Sequence, residues 1–186
     1  MKDKKHKVKS IKVNAILNVT KQLCKVLFPL ITMPYVTRVL QTSGYGKYNF
    51  GSSIVSYFIL LAGLGINDYA IREGARVRNN KKKFQVFSEE VFTINVLSTI
   101  VSYAILFALL LFSKKLLDYR LLIIVQSIPI ILNTLGCDWI NSVYEDFFYI
   151  TIRYIAIQIL SPVVLFALVQ TADHYVMYAL VTPLAS

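Results

Sequence analysis

Lys21 and Lys25 stand in the middle of the first long apolar run of the chain. At about 100° per residue on a helix, Asn14, Asn18, Lys21, Gln22, Lys25 and Thr32 share an arc of about 100°, and Ile, Leu, Val, Phe and Ala fill the rest of that helix. A lysine at the bilayer midplane costs roughly 3 kcal/mol on insertion scales. Snorkelling lowers that cost near helix ends, but these two lie about 9–13 residues into a span of about 20. Neither has an acidic residue in its own helix to neutralise it. The pattern predicts a water-filled, positively charged cavity among helices, lined by Lys21 and Lys25 with Asn14 and Asn18. Its chemistry is holding or moving an anion. Arg153, at the start of a later span, is placed to reach the same cavity or to anchor on headgroups, with Glu145 and Asp146 beside it as partners.

No other residue set calls for covalent chemistry. The sequence has no phosphate-binding glycine loop, nucleophile elbow or dinucleotide fingerprint. Its acidic residues sit mostly at predicted helix ends, with no pair placed for acid–base work. Cys24 and Cys137 both lie in apolar segments and read as small buried hydrophobes, without zinc spacing or a disulfide framework. His6 and His174 have no partners that suggest metal or proton transfer. The expectation is a protein that is not an enzyme and uses no cofactor and no metal.

The elements that must position the lysines follow from composition. The chain has 186 residues, 56% of them hydrophobic and 16% charged, with a mean hydropathy of +0.57. That is too apolar for an ordinary soluble domain. The predicted fold class is all-α, a polytopic transmembrane helical bundle of about five full spans plus a truncated sixth. A basic tail covers residues 1–12, and the spans cover 13–36, 47–68, 90–112, 121–141, 152–170 and an incomplete 175–186. The last stretch is too short to cross a bilayer, which suggests a truncated chain or, as the alternative, a half-span resting at the interface. The first run is too long and too polar-laced for a signal peptide, and no small-residue cleavage site follows it.

The net charge of +10 is concentrated in the tail and in the loop from Arg72 to Lys83. There is no room for a soluble nucleic-acid module, so no nucleic-acid partner is expected. With the N-terminus inside, thirteen lysines and arginines face the cytoplasm and five face outward, which satisfies the positive-inside rule. Smaller polar stripes mark the other spans. Asn49, Ser52, Ser53, Ser56, Gly63 and Asn67 share one face of the second; Asn95, Ser98, Thr99 and Ser102 one face of the third. Both sets read as close-packing seams with interhelical hydrogen bonds. In the fourth, Gln126, Asn133 and Asn141 group together with Asp138 to one side, and Asp68, Arg72 and Glu73 form a solvated ion network.

Several ordered strings carry a family likeness. Residues Pro34 to Leu40 (PYVTRVL) precede Gly44 to Phe50 (GYGKYNF) and Leu64 to Glu73 (LGINDYAIRE); Asp138-Trp139-Ile140 and Glu145 to Arg153 (EDFFYITIR) follow. Together they make nearly the whole chain similar to the N-terminal half of the Wzx-type O-antigen and capsule repeat-unit flippases, polysaccharide biosynthesis proteins of the multidrug/oligosaccharidyl-lipid/polysaccharide exporter superfamily. The resemblance implies the N-terminal lobe of a two-lobe flippase. It implies transfer of undecaprenyl-pyrophosphate-linked oligosaccharide between leaflets of the bacterial inner membrane for surface polysaccharide, with this one lobe inactive by itself. The implied partners are the lipid-linked oligosaccharide and membrane lipids, with polysaccharide polymerase and chain-length proteins as candidates. Two departures stand out: Gln41 where the family tends to carry glycine, and Asn141-Ser142-Val143 where it tends to carry an aromatic followed by Gln-Gly. Two other functions compete. A multidrug–cation antiporter requires acidic residues in the lumen. A non-transporting interaction protein of a polysaccharide assembly complex would pair Lys21 and Lys25 with a partner's carboxylates.

Overall fold

A computed structural model describes residues 11–145, 147–171 and 174–182, with the side chains of 11–15, 17, 18, 28 and 147–150 excepted. Most of the basic tail, Asp146 and the end of the last predicted span lie outside the described residues, as do the side chains of Asn14 and Asn18. The described chain is all helix, without a strand. Helix α1 spans Ile11–Gly63, α2 Ile66–Val77 and α3 Lys81–Phe112. A 3-10 turn over Lys114–Tyr119 leads into α4 (Arg120–Gln126), α5 (Ile128–Gly136) and α6 (Asp138–Val143). Helices α7 (Phe147–Leu168) and α8 (Tyr175–Val181) complete the described chain.

Among the described residues, four helical stretches are long and apolar enough to cross a membrane: Val19–Val77, Lys81–Phe112, Lys114–Gly136 and Thr151–Leu168. The first has 59 residues, about 88 Å of helix against a hydrocarbon core of about 30 Å. It has the length for two crossings, and its backbone divides it at two places. At Gln41 the backbone takes φ 54°, ψ −179°, a combination nearly confined to glycine. At Leu64 and Gly65 φ is again positive, 42° and 69°. A loop over 37–46 is what the sequence suggests; helix continues through that stretch except at Gln41. The predicted fourth span is likewise interrupted. Pro129 lacks the amide that would continue the ladder past Ser127, and Cys137 is left-handed at φ 42°, ψ 35°. Helix α3 starts earlier than the 90–112 reading, because Asn80 caps it by accepting from the Lys83 backbone N–H at 3.2 Å.

Three apolar clusters hold the helices together. Val55, Phe58, Leu106, Leu110, Ile123 and Ile130 join the second limb of α1 to α3, α4 and α5. Val36 and Leu40 meet Leu165, Val169 and Val181 where α1 crosses α7 and α8, and the Tyr35 hydroxyl donates to the Val169 carbonyl at 2.8 Å. Ala70, Phe84, Val91, Trp139 and Val143 pack α2 onto α3 and α6. Apolar attraction between helices is weak in lipid, so hydrogen bonds and close approach matter more. Ser102 Oγ donates to the Phe58 carbonyl at 2.9 Å, Ser98 Oγ to the Ala62 carbonyl, and the Thr99 and Thr134 hydroxyls meet at 2.6 Å. All four side chains are buried, in keeping with the packing role expected of the third span's hydroxyls.

Candidate functional site

The second limb of α1 ends at the glycine turn that starts α2, close to the beginnings of α6 and α7. Between these elements and the first limb of α1 lies a cavity of about 990 Å³. Lys21 and Lys25 line it from α1, Arg153 and Tyr154 from α7, and Asp138 and Trp139 from α6. Residues 21 and 25 are one helical turn apart, so their side chains leave α1 on the same face. Both ammonium groups lie over the Tyr154 ring, at 5.6 and 5.7 Å from its centroid. The ring's negative face attracts both cations and offsets part of the repulsion between like charges at i, i+4.

Arg153 Nη2 pairs with Asp138 Oδ2 across the α6–α7 junction. The sequence offered Glu145 and Asp146 as its partners. Glu145 is instead engaged by Arg78 at 2.8 Å, because the turn after α6 points it toward the α2–α3 elbow, and Asp146 lies outside the described residues. Among the described residues lining the cavity, three are cationic and one is acidic, so that part of the lining is cationic on balance. The Arg72, Glu73 and Arg76 cluster lies outside this lining; its ion pairs, at 3.2 and 2.9 Å, sit on the exposed side of α2 without Asp68.

The rest of the lining is uncharged and sets three amides among apolar side chains such as Ile59, Ile130 and Leu132. Asn67 from the start of α2, Asn95 from α3 and Asn133 from α5 all border the cavity. The packing seam suggested for Asn67 and Asn95 is therefore divided. Beside Asn95 the hydroxyls of Ser98, Thr99 and Ser102 are used between helices. Ser53 and Ser56, on the face of Asn67, donate to carbonyls of their own helix instead of making the interhelical bonds expected of that seam. The three amides border the cavity and make no side-chain hydrogen bond among the described residues. An amide with no protein partner is costly in hydrocarbon and is satisfied where water or a polar ligand reaches it.

Of the five residues singled out from the sequence, Lys21, Lys25 and Arg153 meet at this cavity. Asn14 and Asn18 are on α1, but their side chains are outside the described residues. Tyr154 gave no sequence signal beyond its place beside Arg153. Asp138 and the three asparagines were visible as polar positions, but their convergence was not. No group of three metal-binding side chains occurs among the described residues.

These features define a polytopic helical membrane protein with a polar, net-cationic cavity among its helices. The chain belongs to the family of polysaccharide biosynthesis proteins, whose family model matches residues 11–186. Comparisons with curated proteins and with solved structures give no match. Family membership gives the protein a role in polysaccharide synthesis or export.

Proposed function

We propose that this chain is the N-terminal lobe of a Wzx-type flippase that carries undecaprenyl-diphosphate-linked oligosaccharide repeat units across the bacterial inner membrane. The observation that carries the reading is the pairing of Lys21 and Lys25 over Tyr154, facing a wall of three asparagines in one cavity. The lysines suit the diphosphate: each offers up to three N–H donors and a full charge in a medium that screens poorly. The asparagines suit sugar hydroxyls, since each amide both donates and accepts. A cavity of about 990 Å³ is at the upper end of small-molecule sites and has room for several sugar rings. The polyprenyl tail needs no site of its own, because the outer helix faces are apolar and it can remain in lipid.

The work is transfer without bond making, so the protein is not an enzyme. The barrier it lowers is the desolvation of the sugars and the diphosphate in hydrocarbon. With the basic tail and the Arg72–Lys83 segment on the cytoplasmic side, the cavity lies toward the cytoplasm, where the lipid-linked substrate is built. The cation-antiport reading needs a free acid in the lumen, and the one carboxylate lining the cavity among the described residues, Asp138, is already paired with Arg153.

The test is binding of undecaprenyl diphosphate to the purified chain, compared with undecaprenol. Charge-assisted hydrogen bonds contribute about 1.5–3 kcal/mol each. Replacing both Lys21 and Lys25 with alanine is therefore expected to weaken diphosphate binding by at least about tenfold while leaving undecaprenol unchanged. Equal binding of the two lipids, or no loss in the double variant, would overturn the reading.

A further inference from the structure

The first turns of α3, beside its elbow with α2, carry a second, shallow surface site whose lining residues are distinct from those of the cavity. A pocket of about 340 Å³ is lined by Lys82, Lys83, Val86, Phe87 and Glu90. Its wall is apolar, supplied by Val86 and Phe87, and its lysines stand at the start of α3. Phe87 is fixed from behind by the Trp139 ring at 6.1 Å and by Tyr69 at 6.1 Å. Arg78 ties the same elbow to α6 by donating to the Val143 carbonyl and to Glu145, both at 2.8 Å.

The depth of this pocket follows from the length of α3. Counting back from Phe112, the last residue of the helix, about 20 residues fill the hydrocarbon layer and bring the boundary to the neighbourhood of Phe92. Residues 87–90 therefore lie at headgroup level, and the lysines at 81–83, two to three turns further out, reach back toward it through their flexible side chains. Lys81, Lys82 and Lys83 are exposed there, and the side chains of Arg72 and Arg76 are 70% and 72% exposed on the neighbouring helix. Glu73 is occupied by those two arginines, and Glu89 accepts a hydrogen bond from Gln85 at 3.0 Å. Glu90 is the acid on the pocket rim, two turns deeper than Lys83. The outward rim is thus cationic and the wall below it apolar.

We propose that the α2–α3 elbow binds an anionic phospholipid of the adjacent leaflet. Its phosphate lies against Lys82 and Lys83, with Lys81 beside them, and its glycerol-ester region lies along Val86 and Phe87. A free phosphate would leave the apolar wall uncovered, and a zwitterionic lipid would bring its own cation to the lysines. An anionic diacyl lipid complements both surfaces at the depth where such lipids reside. The site is independent of the flippase reading, since none of its residues lines the larger cavity.

The chain supplies its own reporter, because Trp139 is its only tryptophan and is in ring contact with Phe87. Trp139 also borders the larger cavity, so Lys21→Ala/Lys25→Ala is measured beside the parent chain and is expected to keep the parent's lipid preference. The purified chain would be placed in phosphatidylcholine nanodiscs containing a small fraction of brominated lipid, either phosphatidylglycerol or phosphatidylcholine. Trp139 fluorescence is expected to be quenched at least twofold more by the brominated phosphatidylglycerol. That preference is expected to vanish in Lys81→Gln/Lys82→Gln/Lys83→Gln, to persist in the corresponding triple arginine variant, and to persist in Lys114→Gln/Lys115→Gln. Equal quenching by the two lipids in the parent chain would overturn the proposal. So would a preference that survives the triple glutamine change, or one that disappears with Lys114 and Lys115.

Discussion

Arg153 on α7 is held by Asp138, the first residue of α6, within the wall of the cavity that Lys21 and Lys25 line. The carboxylate neutralises one of three cationic side chains, leaving the two lysines as the net charge. Removing the acid without changing its shape tests how that balance sets anion affinity. Asp138→Asn is expected to tighten undecaprenyl diphosphate binding by about 2–5-fold at low salt, the size of one added charge acting through a partly hydrated cavity. The gain should shrink as ionic strength rises. A titration at two salt concentrations checks both statements, and weaker binding in the variant would contradict them.

Tyr154 holds two ammonium groups over one ring. Each cation–π contact contributes about 0.5–1 kcal/mol at a partly exposed site. Tyr154→Leu is therefore expected to weaken diphosphate binding by about 5-fold, whereas Tyr154→Phe, which keeps the ring and loses the hydroxyl, is expected to bind like the parent chain. A phenylalanine variant as weak as the leucine variant would show that the hydroxyl matters and the ring does not.

The asparagine wall and the lysine wall make separable predictions. Single changes of Asn67, Asn95 or Asn133 to alanine should each lower affinity for undecaprenyl diphosphate bearing a sugar by about 3–10-fold, the value of one or two hydrogen bonds. Affinity for the same lipid without a sugar should stay unchanged. Parallel titrations of the two lipids decide it; equal losses for both would mean that the amides do not read the sugar.

Gly51 on α1 lies against the Gln126 side chain of α4. A methyl group on Gly51 would collide with the Gln126 side-chain oxygen, while Gln126 Nε2 donates to the Tyr48 carbonyl at 2.9 Å. Gly51→Ala is expected to destabilise the protein by about 1–3 kcal/mol through overpacking. Adding Gln126→Ala to it should restore part of that loss, as expected of residues in contact. Thermal unfolding of the two single variants and the double variant measures the coupling.

At Gln41 the backbone conformation suits glycine better than the residue present. Strain of this kind costs about 1–3 kcal/mol, and glycine's own entropy cost is about 0.5–1 kcal/mol. Gln41→Gly is thus expected to raise the unfolding temperature slightly, or leave it unchanged. Gln41→Val should lower it, since a β-branched side chain fits that backbone worse.

The sequence by itself determined the class of fold. Long apolar runs divided by charge have few solutions other than helices crossing a bilayer, because backbone amides in lipid must be satisfied within their own segment. It also marked Lys21 and Lys25, because a charge in the middle of such a run is too costly to be incidental. The strings from Pro34 to Arg153 carried the family likeness. Sequence could not say which polar residues were for packing and which for the cavity. Asn95 and Ser98 lie on one face of one helix, yet Ser98 donates to the α1 backbone and Asn95 borders the cavity. Nor could it pair Arg153 with Asp138, fifteen residues away across the turn that ends α6, or set Tyr154 under both lysines. Helical periodicity is a property of one segment at a time, and it fixes angle around an axis. Which face meets a neighbour and which meets an opening depends on how helices distant in sequence cross, and only the tertiary structure decided that.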